Sequence, residues 1–311
     1  MFKTNARAGM ALMLLAGCAA EPEALTAADR VCESLEMPPG DSSATLTQRA
    51  GVHRLNCHRA AAGLPLVELQ TSLDVAAQAH AEYLTELRSL THRQSDPGLP
   101  GYLGEWPQDR VEATGDAFAP EVDVISEVLS WVAYGSDPTF AVDQWMSNVY
   151  HREPLLHPEL ATAGFGSRGQ YDVMVVRGPW ASTGGLRTAA FPAPGQWGVP
   201  TSFHSDAEDP DPMPDHGTVG YPVSLSFLPE LVVDGTIDLE VRVGLSRIAD
   251  EHGDVVRTRL LEPSGDPRLL RSAFLVPEQP LQPHTRYDVR FVGTLDGQDF
   301  EETWSFTTGV E

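Results

Sequence analysis

The chain contains 311 residues, of which 21 are Lys or Arg and 44 are Asp or Glu, so its formal net charge is −23. Such a negative charge argues against nucleic-acid binding and against electrostatic docking on anionic lipids, because both partners attract surfaces rich in Lys and Arg. With 41% hydrophobic and 21% charged residues, the chain can bury a sizeable core. Its length is typical of two domains of about 150 residues each.

The first eighteen residues have the pattern of an export signal. Two basic residues precede a short apolar run at 8–16, which is well below the roughly 20 residues that a membrane-spanning helix needs. The sequence LAGC at 15–18 then resembles a bacterial lipobox. The resemblance implies that residues 1–17 are a lipoprotein signal peptide and that Cys18 carries lipid. An ordinary secretory signal with a chance cysteine is the alternative.

A lipid on Cys18 predicts an extracytoplasmic protein that contacts the membrane through its N-terminus, since two or more acyl chains give durable anchoring. Ala19 follows the cysteine, which resembles outer-membrane sorting in Gram-negative lipoproteins. We therefore expect a monomer at the outer membrane or cell surface. Residues 18–44 are polar and contain a Pro-Pro-Gly sequence, which predicts a tether.

The cysteine count becomes even once Cys18 is lipidated. Cys32 and Cys57 remain, and an oxidising compartment favours a disulfide between them. Two unpaired buried thiols are the alternative.

Helical spacing of apolar residues predicts four helices in the first half of the chain. Two of them lie at 45–62 and 72–88. A third is predicted at about 121–133 from a stripe of Val, Ile and Leu side chains. The fourth is predicted at 137–148, where an Asp-Pro pair supplies the cap and the first helical residue.

Short strands at 164–166 and 171–176 follow these helices, so the first domain, placed at 45–190, is predicted to be α+β. Residues 191–218 are rich in Pro and acidic side chains and predict a stiff linker. A calcium loop is the alternative for this segment, but the EF-hand spacing is absent.

From 219 to 311 the apolar residues alternate with a period of two, as in half-buried strands. Asp-Gly pairs between the apolar runs are typical of hairpin turns. These features predict an antiparallel β-sandwich. The run at 303–309 resembles the last strand of Ig-like modules in bacterial surface proteins, which implies an Ig-like domain.

A series of motifs, none specific alone, follows one order between residues 46 and 180. The series comprises Leu55-Asn56-x-x-Arg59, Leu73-x-x-x-Ala77-x-x-His80, Leu90-Thr91-His92, Ser126-Glu127-Val128, Trp145-Met146-Ser147, Tyr150-His151-Arg152 and Gly164-Phe165-Gly166. Together they resemble a bacterial member of the CAP superfamily (cysteine-rich secretory protein, antigen 5 and pathogenesis-related 1). The resemblance covers just under half of the chain and implies an α-β-α sandwich with a cleft.

The resemblance also implies which residues line the cleft. His92 and His151 match the two family histidines, and Glu127 matches the family's central acid. Many relatives carry a second acid three residues after the tryptophan, but Asn148 occupies that position here. This departure weakens a four-ligand metal site and any mechanism that needs two carboxylates. An exposed position on the predicted third helix is the alternative for Glu127, because a buried acid needs a partner.

Three chemical interpretations of His92, Glu127 and His151 stay open. Two neutral imidazoles and a carboxylate form a minimal open coordination sphere for Zn²⁺, with His92 and His151 as the metal ligands. The same side chains could act as general bases without metal, or could form a hydrogen-bonded network that orders the cleft.

Three functions correspond to these interpretations. The first is a surface lipoprotein whose cleft binds a small ligand or lipid, with the Ig-like domain as a spacer or adhesion module. The second is a metal-assisted hydrolase that acts on peptide or envelope material. The third is a structural envelope protein with a vestigial cleft. The missing second acid favours the first and third, and whether the protein is an enzyme stays undecided.

Other side chains are predicted to be structural. Asn56 and Arg59 are expected to brace the helix packing or a loop, and His80 and Trp131 are expected in the core, with a place on the cleft lining as the alternative for Trp131. Arg152 is expected to cap the carbonyl groups at the end of the fourth helix.

Overall fold

The computed structural model describes residues 26–40, 44–117, 119, 123–133, 137–182, 184, 187–229, 241–244, 246–295 and 297–310. The predicted signal peptide and Cys18 lie outside the described residues. Of the helices in the described part of the chain, none combines the length and the apolar character that crossing a membrane requires.

In the described residues, the first half of the chain combines six helices and a four-stranded sheet. The helices are α1 (Ala27–Cys32), α2 (Leu46–Ala61), α3 (Thr71–Leu87), α4 (Pro107–Ala113), α5 (Pro138–Ser147) and α6 (Arg152–Leu155). The strands are β1 (Glu68–Leu69), β2 (Asp123–Trp131), β3 (Thr162–Arg168) and β4 (Tyr171–Pro179), in the order β1-β3-β4-β2. Helix α3 packs against β3 and β4, while α2 contacts β3 and α5, so mixed helix and sheet content is confirmed.

Two glycines allow α3 to approach the sheet closely. A Cβ atom on Gly164 would collide with the backbone of Asp74, and one on Gly166 would collide with the backbone of Gln78. Between them, Phe165 is fully buried and its backbone N–H donates to Asp74 Oδ1 (2.8 Å). The Gly-Phe-Gly motif therefore sets the distance between helix and sheet.

The predicted third helix is wrong, because residues 123–131 form strand β2. Every residue of β2 pairs with β4, from Asp123 opposite Pro179 to Trp131 opposite Tyr171. Apolar side chains of β2 occupy both faces, since Ile125 joins the cluster beneath α3 while Val128 joins the other core. A strand that is buried on both faces loses the alternating pattern by which strands are identified.

The N-terminal segment is partly folded rather than a plain tether. Helix α1 begins at a capping box formed by Thr26 and Asp29. A disulfide joins Cys32 at its end to Cys57 of α2, with 5.2 Å between the Cα atoms, which confirms the predicted pairing. Helix α1 is thereby fixed against α2.

In the described residues, the second half contains two large antiparallel sheets. One has the order β12-β13-β8-β5, and the other has the order β11-β10-β14-β15 with β9 paired to β14. Their strands are β5 (Arg187–Phe191), β8 (Val223–Leu228), β9 (Val241–Val243), β10 (Arg247–Asp250), β11 (Val255–Val256), β12 (Thr258–Leu261), β13 (Ser272–Pro277), β14 (Arg286–Leu295) and β15 (Gln298–Thr307). Side chains from both sheets share one hydrophobic cluster, and the rings of Phe227 and Phe300 lie 5.2 Å apart. This arrangement is compatible with the predicted sandwich.

Parts of the predicted hairpins lie outside the described residues, including Asp234, Gly235, Ile237, Leu239 and Asp296. The β14–β15 hairpin itself is present, with Leu295 opposite Gln298 and Gly297 at a φ of 77°.

The segment interpreted as a stiff linker is folded. Strand β5 pairs with β8, so residues 187–190, placed at the end of the first domain, and residue 191, placed in the linker, extend the second half's sheet. Strands β6 (Ser202–His204) and β7 (Thr218–Gly220) pair with each other, and residues 205–207 form a 3₁₀ turn between them. The side chains of Phe203, Met213 and Val219 are buried in one hydrophobic cluster, which stabilises this segment. The sequence analysis did not identify these core residues, because prolines and acidic residues surround them.

Candidate functional site

The first histidine of the predicted cleft is paired with the predicted acid. His92 lies in the loop after α3, and its Nδ1 is 2.9 Å from Oε1 of Glu127 on β2. His80 makes two hydrogen bonds to this loop. Its Nε2 donates to the carbonyl oxygen of Thr91 (2.9 Å), and its Nδ1 accepts from the Gln94 amide. The predicted core position of His80 is confirmed.

Glu127 is a buried carboxylate with charged partners. Its side chain is 1% exposed, and Arg110 of α4, itself fully buried, donates to Oε2 over 2.6 Å. Burial raises the pKa of Glu127, but the His92 hydrogen bond and the charge of Arg110 outweigh it, so the pKa lies below its usual value. Glu127 is therefore ionised, and both of its carboxylate oxygens have partners. The alternative, an exposed position on a helix, is wrong.

The second histidine is held by an acid that the sequence analysis missed. His151 follows α5, and its Nδ1 lies 2.8 Å from Oε1 of Glu208. The buried Glu208 carboxylate also accepts backbone N–H groups of Val149 (2.8 Å), Tyr150 (2.8 Å) and His151 (3.1 Å). The acid that is missing at Asn148 is thus supplied from the segment after the first domain. Five acids share that segment, and although Glu208 is its only glutamate, no local motif marks it as the partner of His151.

Both pairs leave the same ring atom available. A carboxylate only accepts hydrogen bonds, so Nδ1 of each histidine carries the hydrogen. Within the described part of the chain, neither Nε2 has a hydrogen-bond partner. A histidine whose Nδ1–H is fixed by a carboxylate presents Nε2 as an oriented acceptor, general base or metal ligand.

His92 and His151 line one cavity of about 690 Å³. Three large apolar side chains on its lining are exposed to solvent, namely Leu90, Trp131 and Phe140. Trp131 is 56% exposed, so its predicted core position is wrong, and it lines the cavity, as the alternative had it. It ends strand β2 at the edge of the sheet, where no layer of the described residues covers it. Exposed apolar side chains grouped around a concave surface are typical of a binding site.

The predicted metal trio is not assembled as a set of three ligands. Among described side chains, the only group of three His, Cys, Asp or Glu whose ligand atoms lie within 4.8 Å of one another is Cys32, His53 and Cys57. Two of its sulfur atoms are joined in the disulfide, so they are not free thiolates. The cleft instead offers the Nε2 atoms of His92 and His151, with carboxylates behind both rings.

Asn56, Arg59 and Arg152, which were predicted to be structural, have that role. Arg59 donates to the carbonyl groups of Pro65, Leu155 and His157, and Asn56 pairs with the backbone of Val67 in both directions. Arg152 donates to the carbonyl oxygen of Met146 (2.6 Å), so it caps the last turn of α5 as expected.

Comparison with known proteins supports the family resemblance for part of the chain. Residues 52–176 match the CAP family, described as the Cysteine-rich secretory protein family. No curated protein is significantly similar to the chain.

Two solved structures are similar to part of the chain. An extracellular protein containing a SCP domain from Bacillus anthracis is 19% identical over 42% of this chain and 39% of that chain, with a TM-score of 0.36. A DUF4426 family protein from Pseudomonas aeruginosa is 13% identical over 42% of this chain and 90% of that chain, with a TM-score of 0.23. The chain thus spans about two fifths of the Bacillus protein. Both scores are low and carry no argument, so the assignment depends on the sequence match: residues 52–176 form a CAP domain.

Proposed function

We propose that the protein is an extracytoplasmic, surface-anchored lipoprotein whose CAP domain binds a small amphiphilic ligand between His92 and His151. The observation that carries the proposal is the cavity on which two oriented Nε2 atoms and three exposed apolar side chains meet.

The apolar rim supports an aliphatic or aromatic body in the ligand. Leu90 precedes His92 on the loop after α3, Trp131 ends β2, and Phe140 lies on α5. Each comes from a different element, so the three form one concave surface rather than a single exposed stripe. Covering such side chains contributes roughly 25 cal/mol per Å² of apolar surface removed from water.

The polar end of the cavity supports a neutral, hydroxyl-bearing head group. The Nε2 atoms of His92 and His151 accept hydrogen bonds, so they match hydroxyl donors. Asp143 and Asp209 also line the cavity, and negative charge there disfavours an anionic head group. A monoacylglycerol combines these two properties.

A titration with glycerol monododecanoate, below its critical micelle concentration, tests the proposal by calorimetry. We expect one-to-one binding, at least tenfold weaker in Trp131→Ala. Trp106→Ala is the matched control, because Trp106 is 47% exposed but does not line the cavity. Equal affinity in wild type and Trp131→Ala, or no binding to wild type, would contradict the proposal.

The anchor and the C-terminal half belong to the same proposal. Lipid on Cys18 holds the protein at the outer membrane or cell surface, and the C-terminal β-sandwich, as an Ig-like module, acts as spacer or adhesion unit. Replacing Cys18 with Ser should release the protein from membranes, and unchanged membrane partition would exclude a lipid anchor.

A metal-assisted hydrolase is the second candidate, because both histidines have the carboxylate support that is typical of metal ligands. His92 and His151 would hold Zn²⁺ through Nε2, and the ion would supply a polarised water for hydrolysis. Stoichiometric zinc that is lost in both His92→Ala and His151→Ala would favour this candidate. If neither zinc nor the monoester binds, the cleft is vestigial and the protein has a structural role in the envelope.

A further inference from the structure

A second cavity, of about 330 Å³, lies between the CAP domain and the C-terminal half. Tyr150, His157 and Trp180 line it from the first half, and Arg268 and Arg271 line it from the segment before β13. Its volume is at the lower end of the range for small-molecule sites. His92 borders this cavity as well as the larger one, but His151 does not.

Arg271 lines this cavity, and no hydrogen-bond acceptor for its guanidinium is found among the described residues. The guanidinium lies over the ring of Trp180, 4.6 Å from the ring centre. Nε2 of His157 lies 3.2 Å from its Nη1. This imidazole nitrogen is not available as an acceptor, because it carries the hydrogen of the ring.

His157 is locked as the tautomer with hydrogen on Nε2. Its Nδ1 accepts the backbone N–H of Glu159 (3.2 Å), and its Nε2 lies 2.9 Å from the carbonyl oxygen of Pro179, which can only accept. Burial and the charge of Arg271 lower the pKa of His157 to about 4, so the ring is neutral near pH 7. Arg271 therefore meets an N–H donor where it needs an acceptor.

The carboxylates near Arg271 have other partners. Glu127 and Glu153 also line the cavity. Glu127 pairs with Arg110 and His92, and Glu153 Oε1 accepts the backbone N–H groups of Leu270 (2.9 Å) and Arg271 (2.5 Å). Asp266 accepts from Tyr150 (2.6 Å) and from Arg268 (3.3 Å). The charge of Glu153 acts on Arg271, but no ion pair between the Arg271 guanidinium and an acid is found among the described residues. A half-buried cation without an acceptor is costly unless a ligand supplies one.

We propose that this cavity binds a small organic anion whose carboxylate or phosphate pairs with Arg271 and whose apolar body packs on Trp180 and Leu270. Leu270 lines the cavity and is 60% exposed, so a ligand there would cover apolar surface. The planar guanidinium suits bidentate pairing with either anionic group. This ligand differs in charge from the neutral amphiphile of the larger cavity, so the two proposals stand or fall independently.

Calorimetric titration with three probes tests the anion site. Benzoate and phenyl phosphate carry the two anionic groups on one ring, and benzamide is the neutral analogue of benzoate. We expect at least one anion to bind and benzamide to bind at least tenfold more weakly, and the preferred anion identifies the group. Failure of both anions, or equal affinity for benzamide, overturns the proposal.

Variants assign the binding to Arg271. Arg271→Met should weaken the preferred anion at least tenfold, while Arg271→Lys should retain part of the affinity. Arg257→Met is the matched control, because Arg257 is largely exposed and lies outside the cavity. Trp180→Leu provides a second test if Arg271→Met does not fold, and unchanged affinity in Arg271→Met or Trp180→Leu overturns the assignment.

Discussion

The two histidines of the cleft are held by carboxylates of different origin. Glu127 lies on a strand of the CAP sheet and has a buried cation, Arg110, as its partner. Glu208 lies beyond the CAP domain and is held by backbone N–H groups. The CAP domain thus supplies the carboxylate that holds His92. The segment after this domain supplies the carboxylate that holds His151. An acid that is absent from its family position can therefore be replaced in space by a residue that no alignment of the motif would show.

The largest expected effect concerns the first pair. Arg110→Met leaves the Glu127 carboxylate buried with only histidine partners, so we expect the free energy of unfolding to fall by about 3–5 kcal/mol. Chemical denaturation measures this loss. Arg93→Met is the control, because the exposed Arg93–Glu105 pair should contribute less than about 1 kcal/mol. A loss for Arg110→Met no larger than for Arg93→Met would show that the pair is not buried as described.

The His151–Glu208 pair should contribute less to the free energy of unfolding. Its carboxylate is stabilised by backbone N–H dipoles rather than by a cation. Glu208→Gln turns an amide nitrogen toward backbone N–H groups and leaves buried donors unpaired, at a cost of about 2–3 kcal/mol. Asp206→Asn, an exposed change in the same segment, should have no effect. If Glu208→Gln has wild-type stability, the segment does not hold His151 in solution.

The two pairs should also differ in pH dependence, because only the first lies beside a buried neutral histidine. Burial lowers the pKa of His80 to about 4, despite the nearby Glu127. Below pH 6.5 the unfolded chain protonates His80, whereas the folded protein keeps this ring neutral down to about pH 4. The free energy of unfolding therefore decreases as the pH falls from 6.5 to 4. His80→Gln should reduce this slope by up to about 1.4 kcal/mol per pH unit. His252→Gln, at an exposed site, should leave the slope unchanged, and an unaltered slope in His80→Gln would contradict the buried neutral state.

The smallest expected effect is a difference in chemical reactivity between the two cleft histidines. The side chain of His92 is 50% exposed and that of His151 is 19% exposed, while both present Nε2. Diethyl pyrocarbonate should therefore modify His92 faster than His151, and His80 should resist modification. Peptide mass mapping over time gives the order, and faster modification of His151 would reverse the assigned exposures.

Local signals in the sequence were sufficient for much of this fold. The Asp-Pro cap of α5, the period-two runs of β8 and β14, and the pairing of Cys32 with Cys57 followed from rules that act over a few residues or from simple counting. Strand β2 was missed because both of its faces are covered, which removes alternation. Of the site, His92, Glu127 and His151 followed from the family motifs. Glu208 could not be identified, because its role arises from a contact across 57 residues that no local pattern records.

The central claim is that both histidines serve one cleft, and histidine nitrogen NMR tests it most directly. In protein labelled with ¹⁵N-histidine, we expect hydrogen on Nδ1 of both His92 and His151 in the free state. Adding glycerol monododecanoate should then shift the Nε2 resonances of both residues along one saturation curve. Hydrogen on Nε2 instead of Nδ1, or a response from only one of the two histidines, would contradict a shared cleft.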